Sequence, residues 1–546
     1  MIQANNNSKT TGHVGQSSSQ AFESAETFGT AAGAPSISRL APAGHGIALF
    51  LSAAASLVVE IVGGRIVAPY VGMSLHSWTA VITVVLAGLA LGHWIGGRWS
   101  DGGRLGLYRR LALIFTVAAL STFAILPLLR FTAPMILVPG LDLVAAILML
   151  AAVLFFIPSV AAGSVSPILT RIAIADQPDR TGIVIGRMFA LGAVGSILGV
   201  LGAGYVLIAR VGSGGTILTV ALVYGGLAAA FLLVSLPSRK ALAVGGGATL
   251  AAALLLGVAA QRTQAITSPC DVESEYYCLR VVDTSAEIGR ASRTLVLDHL
   301  GHGINDRDDP ARLHSGYLAL MDRLRDLRRP GGDFDAFFIG GGAYTLPRAW
   351  QARFPDAALV TSEIDPLVTA IAREHMWFEP GENMEIIHAD ARMTLKRLAG
   401  RSFDVIIGDA AQQDVAVPPH LVTREFAAMV KDSLAEGGFY ALNIIDRAEQ
   451  PLFLTSVVLT LQEVFPVVEA WYPVSAAGRT TFIVLAGDRP TGPDAIELDG
   501  VLDHARWRLT PMEPLARFAS QRSIPVLTDD FAPVYRLLYS GVDTFE

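Results

Sequence analysis

The stretch Phe334-Asp335-Ala336-Phe337-Phe338-Ile339-Gly340-Gly341-Gly342-Ala343-Tyr344 decides how the C-terminal half of this chain is read. An apolar run that ends in three glycines fits a strand-to-helix turn, where a ligand can approach the backbone closely. Around it, apolar runs at 334–340, 358–364, 385–389, 403–408, 439–445 and 481–486 predict strands. Amphipathic stretches at 343–353, 366–376 and 421–435 predict helices between several of them. Strands that alternate with helices predict a parallel, doubly wound, Rossmann-like sheet, here over 331–546. Two shorter β-rich pieces, at 276–282 and 294–298, place a small β element at 263–330.

In such a sheet, ligands sit beyond the carboxyl ends of the strands. The first strand ends at Gly340, Gly341 and Gly342. The second ends Glu363-Ile364-Asp365-Pro366, about 20 residues on, an offset at which an acid commonly accepts from ribose hydroxyls. The third ends His388-Ala389-Asp390-Ala391-Arg392, with Asp390 placed to accept from an adenine amino group. The fourth ends Ile407-Gly408-Asp409-Ala410. Any one of these acids also reads as a helix N-cap. The four ends in order point to an adenosine-containing ligand.

The N-terminal half is different in kind. The chain has 546 residues, 52% hydrophobic and only 16% charged, whereas an ordinary soluble domain carries about 25% charged residues. The deficit is concentrated in seven apolar runs, 45–62, 77–97, 109–129, 141–162, 184–208, 214–236 and 240–260, each near the length needed to cross a bilayer. A multi-pass domain in the lipid bilayer of the inner (cell) membrane is therefore expected over 45–262, after a disordered, Asn-, Ser- and Gly-rich tail at 1–44. Gly88/Gly92/Gly96 and Gly192/Gly195/Gly199 have helix-packing spacing. Glu60, Arg65, His93, Asp142 and Arg187 fall at or near membrane depth, where ionisable groups are costly, and Glu60 with Arg65 is a candidate pair. Pro158 and Pro167 around Gly163 and Ser164 predict a broken helix. A net charge of −7 offers no footprint for nucleic acid. Cys270 and Cys278 have no partners for a zinc site; a small disulfide loop and two separate buried thiols both remain open.

With seven spans, Lys9, Arg39, Arg98, Arg104, Arg109, Arg110, Arg171, Arg180, Arg239 and Lys240 share one side, and only Arg65, Arg130 and Arg210 the other. The positive-inside rule then puts the C-terminal domain outside. A nucleoside substrate argues for the cytoplasm, and one miscounted helix reverses the count.

These residues resemble the spermidine synthase (polyamine aminopropyltransferase) family, in particular bacterial proteins that fuse a membrane domain to such a domain. In the soluble half the resemblance is carried by the four strand ends, by Leu297-Asp298 with His314, and by Leu527-Thr528-Asp529-Asp530-Phe531-Ala532-Pro533. In the membrane half it is carried by Glu60-Ile61-Val62, Leu89-Ala90-Leu91-Gly92, Ser166-Pro167 and Gly192–Gly199. It implies S-adenosylmethionine or its decarboxylated form as co-substrate, no metal, a small-molecule substrate and release of methylthioadenosine; a homodimer is open. It assigns the amine and its proton to Asp409, ribose to Glu363, adenine to Asp390 beside Ala391, and the donor cradle to Gly340–Gly342. Asp298, His314, Tyr344, Arg348, Gln412 and Asp414 are secondary candidates for substrate contact.

Two departures matter. The family's glycine-rich turn carries an Asp for the cationic aminopropyl end, but no acid occurs here from Ile339 to Arg353. The family's second Asp at the fourth strand end is replaced by Gln412, with Asp414 two residues further. A dication desolvated without carboxylate partners is costly, which argues against an ordinary diamine. The alternatives are a lyase that turns intact S-adenosylmethionine into homoserine lactone and methylthioadenosine, a methyltransferase, and a transporter or sensor with a nucleoside- or polyamine-binding domain. Arg348, if it faced the pocket, would suit a donor that keeps its carboxylate.

Overall fold

The structure, a computed structural model, describes residues 42–72, 75–137, 143–235, 268–331, 333–410 and 417–539. Five helices in it are long and apolar enough to cross a membrane: Ala43–Val71, Leu75–Arg98, Arg104–Ile136, Val144–Asp176 and Pro178–Ser235. The last runs for 58 residues, roughly 87 Å at 1.5 Å per residue, far beyond one crossing. A π-turn at Ala203–Leu207 and a non-helical Gly212 (φ 68°, ψ 176°) interrupt it. We name the segments α1 (Pro42–Val71), α2 (Leu75–Arg98), α3 (Arg104–Ile136), α4 (Leu143–Asp176), α5 (Thr181–Gly202) and α6 (Ile208–Ser235). The first six apolar runs of the sequence map onto them. The seventh run, the bulk of the expected tail and Asp142 lie outside the described residues.

Helix–helix packing follows from small residues. A Cβ on Gly92 would strike the Val160 carbonyl of α4, and one on Gly163 the Leu89 carbonyl of α2, so these two backbones touch. Gly195 and Gly199 meet Phe50 and Ala54 of α1 in the same way. Apolar surface alone drives little association in lipid, where backbone contact of this kind would hold such helices together.

Three expectations change here. Helix α1 begins at Pro42, inside the stretch assigned to the tail. Helix α4 runs unbroken through Pro158 and Pro167; each proline removes one backbone donor, which α4 tolerates within a close contact against α2. The chain breaks instead at Gly212, whose positive φ suits glycine. Arg65 does not pair with Glu60; it donates to the backbone carbonyls of Ser274 and, at 2.8 Å, Glu275.

That contact joins the bundle to the soluble domain. The Ser213 amide at the start of the last helical segment donates to Glu273 at 2.8 Å, and the His76 ring packs edge-on to Tyr539 at 4.8 Å. Cys270 and Cys278 are joined as a disulfide beside these contacts, with Cα atoms 5.2 Å apart.

The soluble domain has two sheets. The first is antiparallel, β1 (Val272–Glu273), β2 (Cys278–Asp283), β3 (Ser292–Leu297) and β4 (Leu300–Asp306) in spatial order. The second has nine strands: β5 (Asp335–Ile339), β6 (Ala358–Ser362), β7 (Met384–Ile387), β8 (Phe403–Gly408), β9 (Leu434–Arg447), β10 (Val467–Pro473), β11 (Arg479–Gly487), β12 (Ala495–Glu497) and β13 (Arg506–Leu509). Their order is β12-β13-β10-β11-β9-β8-β5-β6-β7. The expectation of a parallel sheet holds for β9, β8, β5, β6 and β7; β11, β10, β13 and β12 extend it antiparallel. Strands β5 and β8 are buried almost throughout, as parallel strands covered on both faces must be.

Candidate active site

Beyond the carboxyl ends of β5 to β8 lies a cleft, the place where sheets of this kind bind ligands. The sheet direction brings Gly340, Gly341, Gly342, Glu363, Asp390, Ala391 and Asp409 to its wall, as the sequence predicts. Gly340 and Gly342 have φ of 92° and 52°, a region that favours glycine. Side chains there would also meet the Asp409 and His302 backbones.

Each acid is held by defined donors. Glu363 is buried; its Oε2 accepts from the amides of Gly341 (2.7 Å) and Gly342 (3.3 Å), and its Oε1 from the amide of Asp365 (2.9 Å). Burial pushes its carboxyl up, while these amides oppose the rise. Asp390 caps the helix Ala391–Arg397 by accepting from Met393 at 3.1 Å, and its other oxygen lies 2.7 Å from His420 Nε2. The N-cap reading of Asp390 therefore holds together with its place in the cleft. Asp409 accepts from Asn443 Nδ2 at 2.8 Å on one oxygen and from the Tyr317 hydroxyl at 3.2 Å on the other. Burial raises its pKa, and the two donors pull it back.

The antiparallel sheet supplies what the Rossmann-like half lacks. Tyr277, in the β1–β2 hairpin, and His302, in β4, line the same cleft. Burial pushes the His302 imidazole down to about 4, so it is neutral at physiological pH. Pro418, His420 and Leu421 form a further wall. Tyr317 and Asn443 stand behind Asp409. No local pattern marks Tyr277, His302, Tyr317, His420 or Asn443 in the sequence.

Four secondary candidates lie away from the cleft wall. Tyr344 is fully buried, its hydroxyl 2.6 Å from Thr369 and its ring stacked on Phe378 at 4.2 Å; its positive φ of 55° turns it into the core. Arg348 is buried and donates to the carbonyls of Trp377 (3.0 Å) and Asp306 (2.9 Å), so it is neither a surface residue nor a cleft residue. His314 is buried with Nε2 3.6 Å from Asp306. Asp298 accepts from the Cys278 amide at 2.9 Å and so anchors the hairpin from behind. None of these four lines the cleft. Gln412 and Asp414 lie outside the described residues. From the terminal motif, Asp529 forms a bidentate pair with Arg392 at 2.7 and 2.6 Å, tying the chain end to the helix that follows Asp390.

Over 107 residues, 19% of this chain, the sequence is 36% identical to a polyamine aminopropyltransferase of Vibrio vulnificus (strain CMCP6). The likeness is to the spermidine synthases. A probable polyamine aminopropyl transferase of Bifidobacterium longum (strain NCC 2705) matches at 29% over 109 residues, 20% of this chain. A Drosophila melanogaster eEF1A lysine and N-terminal methyltransferase homolog matches at 22% over 183 residues. The chain spans 36%, 24% and 27% of these relatives' respective lengths. No family model matches. Among solved structures, a probable spermidine synthase from Corynebacterium glutamicum ATCC 13032 aligns at 19% identity, covering 48% of this chain and 96% of that one with a TM-score of 0.41. Human methyltransferase-like protein 13, solved with SAH, aligns at 22% identity over 41% of this chain and 99% of that one, with a TM-score of 0.29.

Proposed function

We propose that this chain is a membrane-embedded, spermidine synthase-like transferase that uses an S-adenosyl sulfonium donor and releases methylthioadenosine. The observation that carries the proposal is the convergence of Glu363, Asp390 and Asp409 with the glycine turn on one cleft. The sequence similarity to polyamine aminopropyltransferases supports it. The five long apolar helices support placement in the inner membrane.

In this reading Glu363 takes the ribose hydroxyls and Asp390 the adenine edge. Asp409 faces the reacting carbon. The acceptor nitrogen forms a bond to the carbon beside the sulfonium, and the carbon–sulfur pair returns to sulfur, leaving a neutral thioether. The nitrogen's proton passes to the Asp409 carboxylate. Asn443 and Tyr317 fix the carboxylate in one orientation, which serves near-attack geometry.

The test is turnover by detergent-purified protein given S-adenosylmethionine or its decarboxylated form, with and without putrescine, followed by mass spectrometry. Methylthioadenosine together with an aminopropylated amine, formed only from the decarboxylated donor and lost in Asp409→Asn, is the expected result. Methylthioadenosine with homoserine lactone and no acceptor product, or no turnover of either donor, would refute it.

A further inference from the structure

The two ends of the helical bundle differ in charge, and the soluble domain sits on one of them. Arg98, Arg104, Arg109, Arg110, Arg171 and Arg180 gather at the end where α1 begins. Contacts there establish the geometry: His45 Nε2 lies 2.9 Å from the Tyr108 hydroxyl, joining the starts of α1 and α3, and Arg104 pairs with Asp176 at the end of α4. The other end carries only Arg65, Arg130 and Arg210 among the described residues. It is at this second end that Arg65 reaches the carbonyls of Ser274 and Glu275, Ser213 meets Glu273, and His76 packs on Tyr539. Arg65, Arg130, Ser213, Cys270 and Glu273 line one cavity at this junction.

Three features of one hairpin thus share the arginine-poor end: its docking contacts, the cleft-lining Tyr277, and the Cys270–Cys278 disulfide that closes it. Arginine and lysine near span ends are retained on the cytoplasmic side. Disulfides form and persist in oxidising compartments outside the cytoplasm. Both rules point the same way. The sequence-level charge count depended on a seventh span; the docking contacts do not, because they fix the domain to a named end of the bundle.

We infer that the cleft opens on the extracytoplasmic face of the membrane, and that its acceptor is an amine present in that compartment. This rests on the membrane-embedded transferase reading above. It also places a translocation step before the reaction, since an S-adenosyl donor is made where ATP is, inside the cell.

The full chain carries no thiol free of the disulfide among the described residues, so single reporter cysteines can be read cleanly. Asp101→Cys marks the arginine-rich end; Glu497→Cys and, as a second reporter, Glu436→Cys mark the soluble domain. All three positions are exposed and none lines the cleft. Each variant is treated in spheroplasts with a membrane-impermeant maleimide, before and after permeabilisation. The expected result is labelling at positions 497 and 436 in intact spheroplasts, and at 101 only after permeabilisation. The reverse pattern overturns the orientation and leaves the membrane reading standing. Equal labelling of all three in intact spheroplasts, with release of the protein by alkaline carbonate, overturns the membrane reading itself. Turnover in detergent is scored separately, so failure of the transferase reading is not confused with either.

Discussion

Asp409 is held in a state that decides how the reaction should respond to pH. Its carboxyl is buried, which raises its pKa above the usual aspartate value of 3.8, and donors from Tyr317 and Asn443 favour its ionised form. In the proposed role of proton acceptor it must be ionised, so activity is expected to fall as pH drops through its raised pKa. Tyr317→Phe removes a donor to the carboxylate and moves that acid limb of kcat/KM to higher pH; an unmoved limb would show that the hydroxyl does not act on Asp409. Asp409→Asn lowers kcat by about 10²–10⁴, the usual worth of a positioned acid–base group, with thermal stability retained. A second carboxyl reports on stability. Burial pushes Asp298 up to about 6 from 3.8. Its folded-state pKa is raised, so the stability it contributes is complete below about 4 and is lost as pH rises through 6. Asp298→Asn is therefore expected to raise the melting temperature at pH 8 and to leave it unchanged near pH 4. Of these residues the sequence showed only those at strand ends, because the strand-end rule is a rule of position in the chain. Tyr317 and Asn443 reach Asp409 from 92 and 34 residues away, a proximity that no local pattern encodes. Tyr344 and Arg348 sit beside the glycine turn in sequence, but the positive φ of Tyr344 and the helix that carries Arg348 send both side chains inward, and adjacency in the chain does not reveal direction.

At the scale of elements, the parallel core was legible because its strands read as near-continuous apolar runs. The antiparallel strands were less so: in the extension of the large sheet β10, β12 and β13 are short or mixed in polarity, and in the small sheet β4 carries His302 and Asp306 in place of an apolar run. The long apolar helices were legible by length, and glycine spacing marked a packing face on two of them without naming the partner helices. That packing makes a sharp prediction. Gly92 lies against the Val160 backbone, whereas Gly97, five residues further along α2 and on another face, has no neighbour near its Cβ position. Gly92→Val should cost on the order of 1–3 kcal/mol through overpacking and reduce the folded fraction in detergent. Gly97→Val should match the parent. Fluorescence-detected size exclusion after a heating step separates the two, and equal losses would mean that α2 does not pack through this stripe.

The whole molecule ties one wall of its cleft to an end of its helical bundle. The hairpin from Val272 to Cys278 is the bridge: Glu273 accepts from Ser213, Ser274 and Glu275 accept from Arg65, and Tyr277, clamped by the Ser274 hydroxyl oxygen at 2.8 Å, lines the cleft. Substrate affinity should therefore depend on residues of the bundle that touch no substrate. Arg65→Ala removes two charge-assisted hydrogen bonds, each worth about 1.5–3 kcal/mol in a protected setting and less at this partly exposed one. It is expected to raise KM for the donor through the loosened hairpin, with kcat less affected because Asp409 and its two donors lie on other elements. Glu273→Gln, which weakens the second tether, should do the same. Because both tethers hold one hairpin, the double variant is expected to show a coupling of about 0.5–3 kcal/mol rather than the sum of two independent effects. Strict additivity in the double-mutant cycle, or a loss confined to kcat, would mean that the bundle anchors the domain without shaping its cleft.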